Sequence, residues 1–218
     1  MCFSATASFM AGIGLSVVGV ATLKKASRRG EIPFAMIPLL FGVQQIIEGV
    51  LWLSLRSEAA LLAVIATYVF SLFSHVLWPI FVPFSIWLLE VVPWRRMVIA
   101  GFQVIGLGIG LYLLYMIVRF PVTAEAGQHI VYLSPHFYKI PTMGFYLAAT
   151  CIGSLFSSHR IVNVFGALAL VLFAIAYWFY AVALFSVWCF FSAMLSFIIY
   201  FYFGSKYPGV QQMSSARL

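Results

Sequence analysis

The chain contains no aspartate, and its five glutamates with twelve lysines and arginines make up only 8% of 218 residues. An ordinary soluble domain is about 25% charged and about 45–50% apolar. Here 64% of residues are hydrophobic, too many for so few charges to cover a water-facing surface, and a soluble globular domain is excluded. Disorder is excluded too, because 18% of the residues are aromatic and disordered chains are poor in aromatics. Cysteine is scarce and odd in number: Cys2, Cys151 and Cys189 form no CxxC pair, which excludes a disulfide framework and a ribbon-type zinc site. Cys151 and Cys189 lie in apolar runs, where cysteine behaves as a small hydrophobe. No basic n-region opens the chain, so no cleaved signal peptide is expected. The net charge of +7 is not gathered on a polar segment, and no nucleic-acid partner is expected. The bases sit in short groups between apolar runs. That is the pattern of an integral membrane protein whose first partner is the lipid bilayer.

A helix crosses the hydrocarbon core in about 20 residues. The charged punctuation yields spans at 3–23, 33–55, 59–92, 97–118, 143–157, 161–180 and 182–204, with a loop at 119–142, all within a single domain, 1–218. The run 59–92 is ambiguous, since one helix of that length is roughly 50 Å long against a core of roughly 30 Å. Charge bias arbitrates. With one helix there, Lys24, Lys25, Arg28, Arg29, Arg95, Arg96, Arg160, Lys206 and Arg217 share one side, and only Arg56, Arg119 and Lys139 lie on the other. The positive-inside rule then specifies an all-α, polytopic seven-transmembrane-helix bundle, N-terminus outside and C-terminus inside, with the third helix overlong and bent at Pro79 and Pro83. A multi-pass location in a cell membrane is expected. In the outer loop the stretch 128–133 reads as a strand, and Ser134-Pro135 and Ile140-Pro141 read as turns, so the loop would fold back as a lid or serve as a plain connector. Leu72-Phe73-Ser74 and Leu184-Phe185-Ser186 correspond loosely, but Phe41-Gly42 and Phe165-Gly166 give a different offset, and no internal repeat is read.

Ionisable groups inside a bilayer are costly, and each is a functional candidate. Glu48 is the one glutamate deep in a span. Gln44, Glu48 and Trp52, spaced four apart, share a helix face bordered by Gln45. His75 is the matching feature of the third helix, with Ser71 and Trp78 on its stripe and Ser74 adjacent. A Glu48–His75 pair forms if the first turns of the third helix project beyond the membrane. Ser4, Ser8, Gly12 and Ser16 recur every four residues on the first helix, a small-residue stripe suited to close packing. Gly106 and Gly110 form a second packing motif of that kind. Trp52, Trp94 and Trp178 fall near span ends and suit an interfacial belt. His129 and His136 lie in the loop, and His159, beside Arg160, needs no special role.

Met1-Cys2-Phe3-Ser4-Ala5, followed by Gln44-Gln45, Glu48-Gly49 and Trp52, resembles a family of small uncharacterised bacterial membrane proteins that open with MCFSA and carry QQ…EG…W. The resemblance covers roughly the first 80 residues. It marks Cys2, Ser4, Gln44, Gln45, Glu48 and Trp52 as a signature and implies no activity. Other seven-span families fail on residues: no lysine lies within a span to form a retinal Schiff base, the aspartate and HxxxH of the ceramidase-like zinc proteins are missing, and so is the proline–glutamine motif of sugar transporters. The expected function is an outward-facing polar pocket of Gln44, Gln45, Glu48, Trp52, Ser71, Ser74, His75, Trp78, Ser4 and Ser8. It would take a small molecule, lipid or ion in transporter- or receptor-like fashion. An alternative is a metal-dependent membrane hydrolase in which Cys2, Glu48 and His75 hold a zinc-like ion. A second is a structural subunit whose glycine and serine stripes pack in a helix-packing oligomer.

Overall fold

A computed structural model describes residues 4–133 and 139–206. Cys2, His136, Ser134-Pro135 and Arg217 lie outside the described residues. Helix α1, Ala5–Lys25, starts where the Ser4 hydroxyl accepts the Ala7 N–H at 3.2 Å, and its last turn carries Lys24 and Lys25, favourably placed against the helix dipole. Helix α2, Ile32–Arg56, has Pro33 in its first turn, where a missing N–H costs nothing. A tight turn with Glu58 in the left-handed region (φ 56°) leads into α3, Ala60–Leu89. Next come α4, Pro93–Arg119, and two short strands, β1, Thr123–Ala126, and β2, Ile130–Leu133. The chain continues through α5, Ile140–Phe156, α6, Arg160–Phe179, and α7, Ala181–Gly204. All but α5 are long and apolar enough to cross a membrane, which makes the chain a multi-pass membrane protein.

The run expected at 59–92 is one continuous 30-residue helix, but its departure from α geometry is not a simple proline bend. Residues Leu72–Leu77 form a π turn. Pro79 supplies no N–H, and its ring would clash with the carbonyl four residues back; the extra residue in the turn relieves that clash. The fourth span also starts earlier than 97, because Pro93 opens α4. The span expected at 143–157 is the short α5, whose second half tightens from a π turn, Ala148–Ile152, into a 3₁₀ turn, Gly153–Phe156.

Helices α2 and α7 are central, with 61% of their most apolar stretch buried, against 28–33% for α1, α3, α4 and α6. The outer helices turn Met10, Leu61, Val104 and Val171 outward, the apolar surface a lipid environment requires. Close packing rests on small residues. A Cβ on Gly42 would fall 2.6 Å from Ser16 Oγ and 2.9 Å from the Gly12 carbonyl, so α1 and α2 touch backbone to backbone. On α4, Gly106 faces the Pro79 carbonyl and Gly110 faces Ile80 and the Val76 carbonyl, as its spacing implies.

The basic connectors meet at one end of the bundle. There the buried Glu90 carboxylate accepts the N–H groups of Val91 (3.0 Å), Val92 (2.9 Å) and Ser158 (2.6 Å) and the hydroxyls of Ser157 (3.3 Å) and Ser158 (2.8 Å), tying the α3–α4 turn to the α5–α6 turn. Arg95 donates to the Ser157 carbonyl at 2.8 Å, and His159 spans the Leu89 carbonyl and Tyr202 hydroxyl. His159 is therefore part of this junction. At the opposite end, β1 and β2 pair antiparallel with Thr123 opposite Leu133 and Ala126 opposite Ile130. Ile130 and Tyr132 are buried, and Tyr132 stacks on Phe70 of α3 with ring centroids 4.5 Å apart. The loop does fold back on the bundle, and β1, with mostly exposed residues, is the strand the sequence reading omits.

Candidate functional site

The expected face of α2 exists: Gln44, Gln45, Glu48 and Trp52 are all buried in the bundle interior. Trp52 is therefore a core residue and not a belt residue, whereas Trp94 and Trp178 are exposed. Ser71, Ser74, His75 and Trp78 of α3 are buried as well. The Trp78 indole N–H donates to Gln44 Oε1 at 2.7 Å while its ring stacks on Phe41 at 3.9 Å, joining the two helices by one polar and one aromatic contact.

Glu48 and His75 are brought into one region, each held by a neighbour on α7. Glu48 Oε1 accepts the hydroxyl of Ser186 on α7 at 2.5 Å. His75 Nδ1 shares a hydrogen bond of 2.7 Å with the hydroxyl of neighbouring Ser74, and its ring packs 4.3 Å from Phe185. Adjacent residues of α7 thus connect the acid and the base. The π turn explains the third wall. The Trp78 N–H bonds the Phe73 carbonyl, and Pro79 has no N–H, so the Ser74 carbonyl loses its helical donors. The Tyr146 hydroxyl of α5 donates to it instead. Tyr146 also packs edge-on against Trp188 of α7.

Ser186, Phe185, Tyr146 and Cys189 are the residues that sequence reasoning missed. The one signal for them was the Leu-Phe-Ser word shared by 72–74 and 184–186. It marks two serines that converge on the same cluster, with no repeat behind it. Ser4 does not join the site, since its hydroxyl is spent on capping α1. Ser8 is fully buried, and the register that sets Phe9 on Gly49 and Gly12 beside Ile46 puts it level with Glu48. Beside the cluster, a small apolar crevice of about 30 Å³ is lined by Phe41, Trp78, Tyr146, Cys151, Trp188 and Cys189.

Several polar atoms here make no well-formed hydrogen bond: Glu48 Oε2, Trp52 Nε1, Ser71 Oγ and Ser8 Oγ, while the Gln45 amide only approaches the Glu48 carboxyl and Gln44 Nε2 finds only the Cys189 thiol. An unpaired buried polar group costs about 1–3 kcal/mol, so the cluster is a concentrated deficit in an otherwise apolar bundle. Among the described residues no three His, Cys, Asp or Glu side chains gather as a metal-binding group, and Cys2 lies outside them. Among the described residues, therefore, Glu48 and His75 have no third ligand of those types beside them.

A helical membrane bundle with a buried, partly unsatisfied polar cluster at its centre is the class of protein that this fold and site define. The chain belongs to a family of unknown function, DUF6629, whose profile matches residues 1–214. No curated protein and no solved structure matches it.

Proposed function

We propose that the chain is a seven-span protein of a bacterial inner membrane, N-terminus outside and C-terminus inside, forming one transmembrane domain. Its cluster of Gln44, Gln45, Glu48, Ser71, Ser74, His75, Trp52 and Trp78, joined by Ser8 and Ser186, is a pocket for a small molecule or ion, transporter- or receptor-like. The orientation is supported by the bases gathered at the end opposite the hairpin. The pocket lies in the half of the bundle toward the hairpin, which covers that end, so the reading is of an occluded outward-side site. A single observation carries it: Gln45 is fully buried, and its amide makes no well-formed hydrogen bond beyond its approach to the Glu48 carboxyl. A side chain kept for packing would be apolar, or would find partners. An amide kept at this cost is kept for a ligand.

The test reads stability and needs no ligand. Gln45→Leu is expected to stabilise the detergent-purified protein by about 1–3 kcal/mol, because it removes a poorly paired buried amide at little change in volume. Thermal unfolding of the two proteins side by side checks this, and a lower melting temperature for the variant sinks the pocket reading. For the topology, Glu125→Cys places a thiol on the exposed face of the hairpin. A membrane-impermeant maleimide should label it in intact cells above the level of the unsubstituted chain. Labelling seen only after lysis reverses the orientation.

A further inference from the structure

We infer that the basic end of the bundle is a docking surface for anionic phospholipids of the leaflet at that end, their phosphates held by the arginines around the last turn of α3. The inference goes beyond the pocket reading and stands without it.

Lys24, Lys25, Arg28, Arg29, Arg95, Arg96 and Arg160 lie at this end beside two carboxylates, Glu31 and Glu90. Both carboxylates are buried and turned toward backbone donors. Glu31 Oε2 accepts the N–H groups of Ser27 at 3.1 Å and Arg28 at 3.3 Å, and Glu90 accepts those of Val91, Val92 and Ser158. The positive surplus is left at the surface, where Arg28, Arg29, Arg96 and Arg160 are exposed. Contacts draw these bases around one helix terminus. A Cβ on Gly30, next to Arg29, would fall 2.9 Å from the Leu88 carbonyl, and the Arg96 guanidinium lies 4.5 Å from the centroid of the Trp87 ring. Arg95 donates to the Ser157 carbonyl at 2.8 Å, and Arg160 follows the same turn, which Glu90 ties to the end of α3. Arginine predominates among these bases, and its planar fork matches a pair of phosphate oxygens. Apolar side chains are exposed among the charges: Ile32, Val91, Trp94 and Met97. A soluble anion would use the bases alone. An anionic phospholipid satisfies both sets at once, with its phosphate at the arginines and its acyl chains along the start of α4, and clusters of bases beside a span attract such lipids.

The test titrates phosphatidylglycerol into the full chain in a neutral detergent and reads the melting temperature. Phosphatidylglycerol should raise it, whereas phosphatidylcholine, which has no net charge, should not. Glycerol phosphate, which carries the anion without the chains, should give no rise at the same concentration. Arg96→Gln or Arg29→Gln should each raise the phosphatidylglycerol concentration for half-maximal stabilisation about fivefold. Arg119→Gln, which removes an arginine stacked on Phe120 at the opposite end, should leave that concentration unchanged. Equal stabilisation by phosphatidylcholine overturns the inference, and so does a half-maximal concentration that neither Arg96→Gln nor Arg29→Gln moves. Equal stabilisation by glycerol phosphate replaces the lipid with a free anion, and an equal loss in Arg119→Gln removes the assignment to this end.

Discussion

Gly106→Val is expected to prevent the bundle from assembling. A Cβ at this position would overlap the Pro79 carbonyl and crowd the Pro79 carbon and the Pro83 ring. Neither neighbour can yield, since one is backbone and the other a closed ring, so α3 and α4 would have to part. Ordinary overpacking costs about 1–3 kcal/mol because side chains rotate away. With backbone as the obstacle the loss should exceed that range. Gly108 supplies the control, because a Cβ there meets nothing within 4 Å. Gly108→Val should purify and melt like the parent, while Gly106→Val should give little folded protein by size-exclusion chromatography. Similar behaviour of the two variants would show that the α3–α4 approach is looser than described. The effect would also reach the site, because Pro79 adjoins Trp78 and closes the π turn that presents Ser74 and His75.

Glu90→Ala is the second large loss, expected at about 2–6 kcal/mol, from two buried N–H groups each left without an acceptor at about 1–3 kcal/mol. It leaves the N–H groups of Val92 and Ser158 without their acceptor and cuts the α3–α4 turn from the α5–α6 turn. The pH dependence follows from the same contacts. Burial works to raise the Glu90 pKa, but hydrogen bonds from the Ser158 and Val92 N–H groups and the Ser158 hydroxyl, with the charge of His159 nearby, outweigh it and hold the carboxyl below its usual 4.5. A pKa lower in the folded than in the unfolded state contributes stability that is complete above 4.5 and is lost as pH falls through the folded value. The melting-temperature gap between parent and Glu90→Ala should therefore hold at neutral pH and narrow below pH 4.5. A gap of constant width down to acid pH would mean that the carboxylate's charge does not hold this junction.

The spans were legible because bilayer thickness translates directly into apolar length, and their ends because lysine and arginine cannot enter the core. The Gln44–Glu48–Trp52 face was legible for a similar reason: residues four apart on one helix are neighbours whatever surrounds them. Legibility failed where partners are distant in the chain. Ser186 reaches Glu48 across 138 residues and Tyr146 reaches Ser74 across 72, and no local pattern encodes either meeting. It also failed at β1, whose mostly exposed residues follow no burial pattern. Trp52 shows the converse risk. Position near a span end suggested the interface, yet α2 is central and buries it.

By itself, the sequence determined the class of protein, the number of apolar segments, the glycines that permit close approach and the polar face of α2. Each is set by local physics: hydrocarbon thickness, the cost of burying charge, the absence of a Cβ and the helical repeat. Only the tertiary structure decided which polar atoms find partners. Proline at position 79 removes a donor in any context, but that the freed Ser74 carbonyl is met by Tyr146, while Gln45 finds no well-formed hydrogen bond, depends on which helices stand beside α2 and α3. Hydrogen-bond satisfaction is a property of neighbours in space. The candidate site is a local deficit in that satisfaction, and it became visible only once all seven helices were in place.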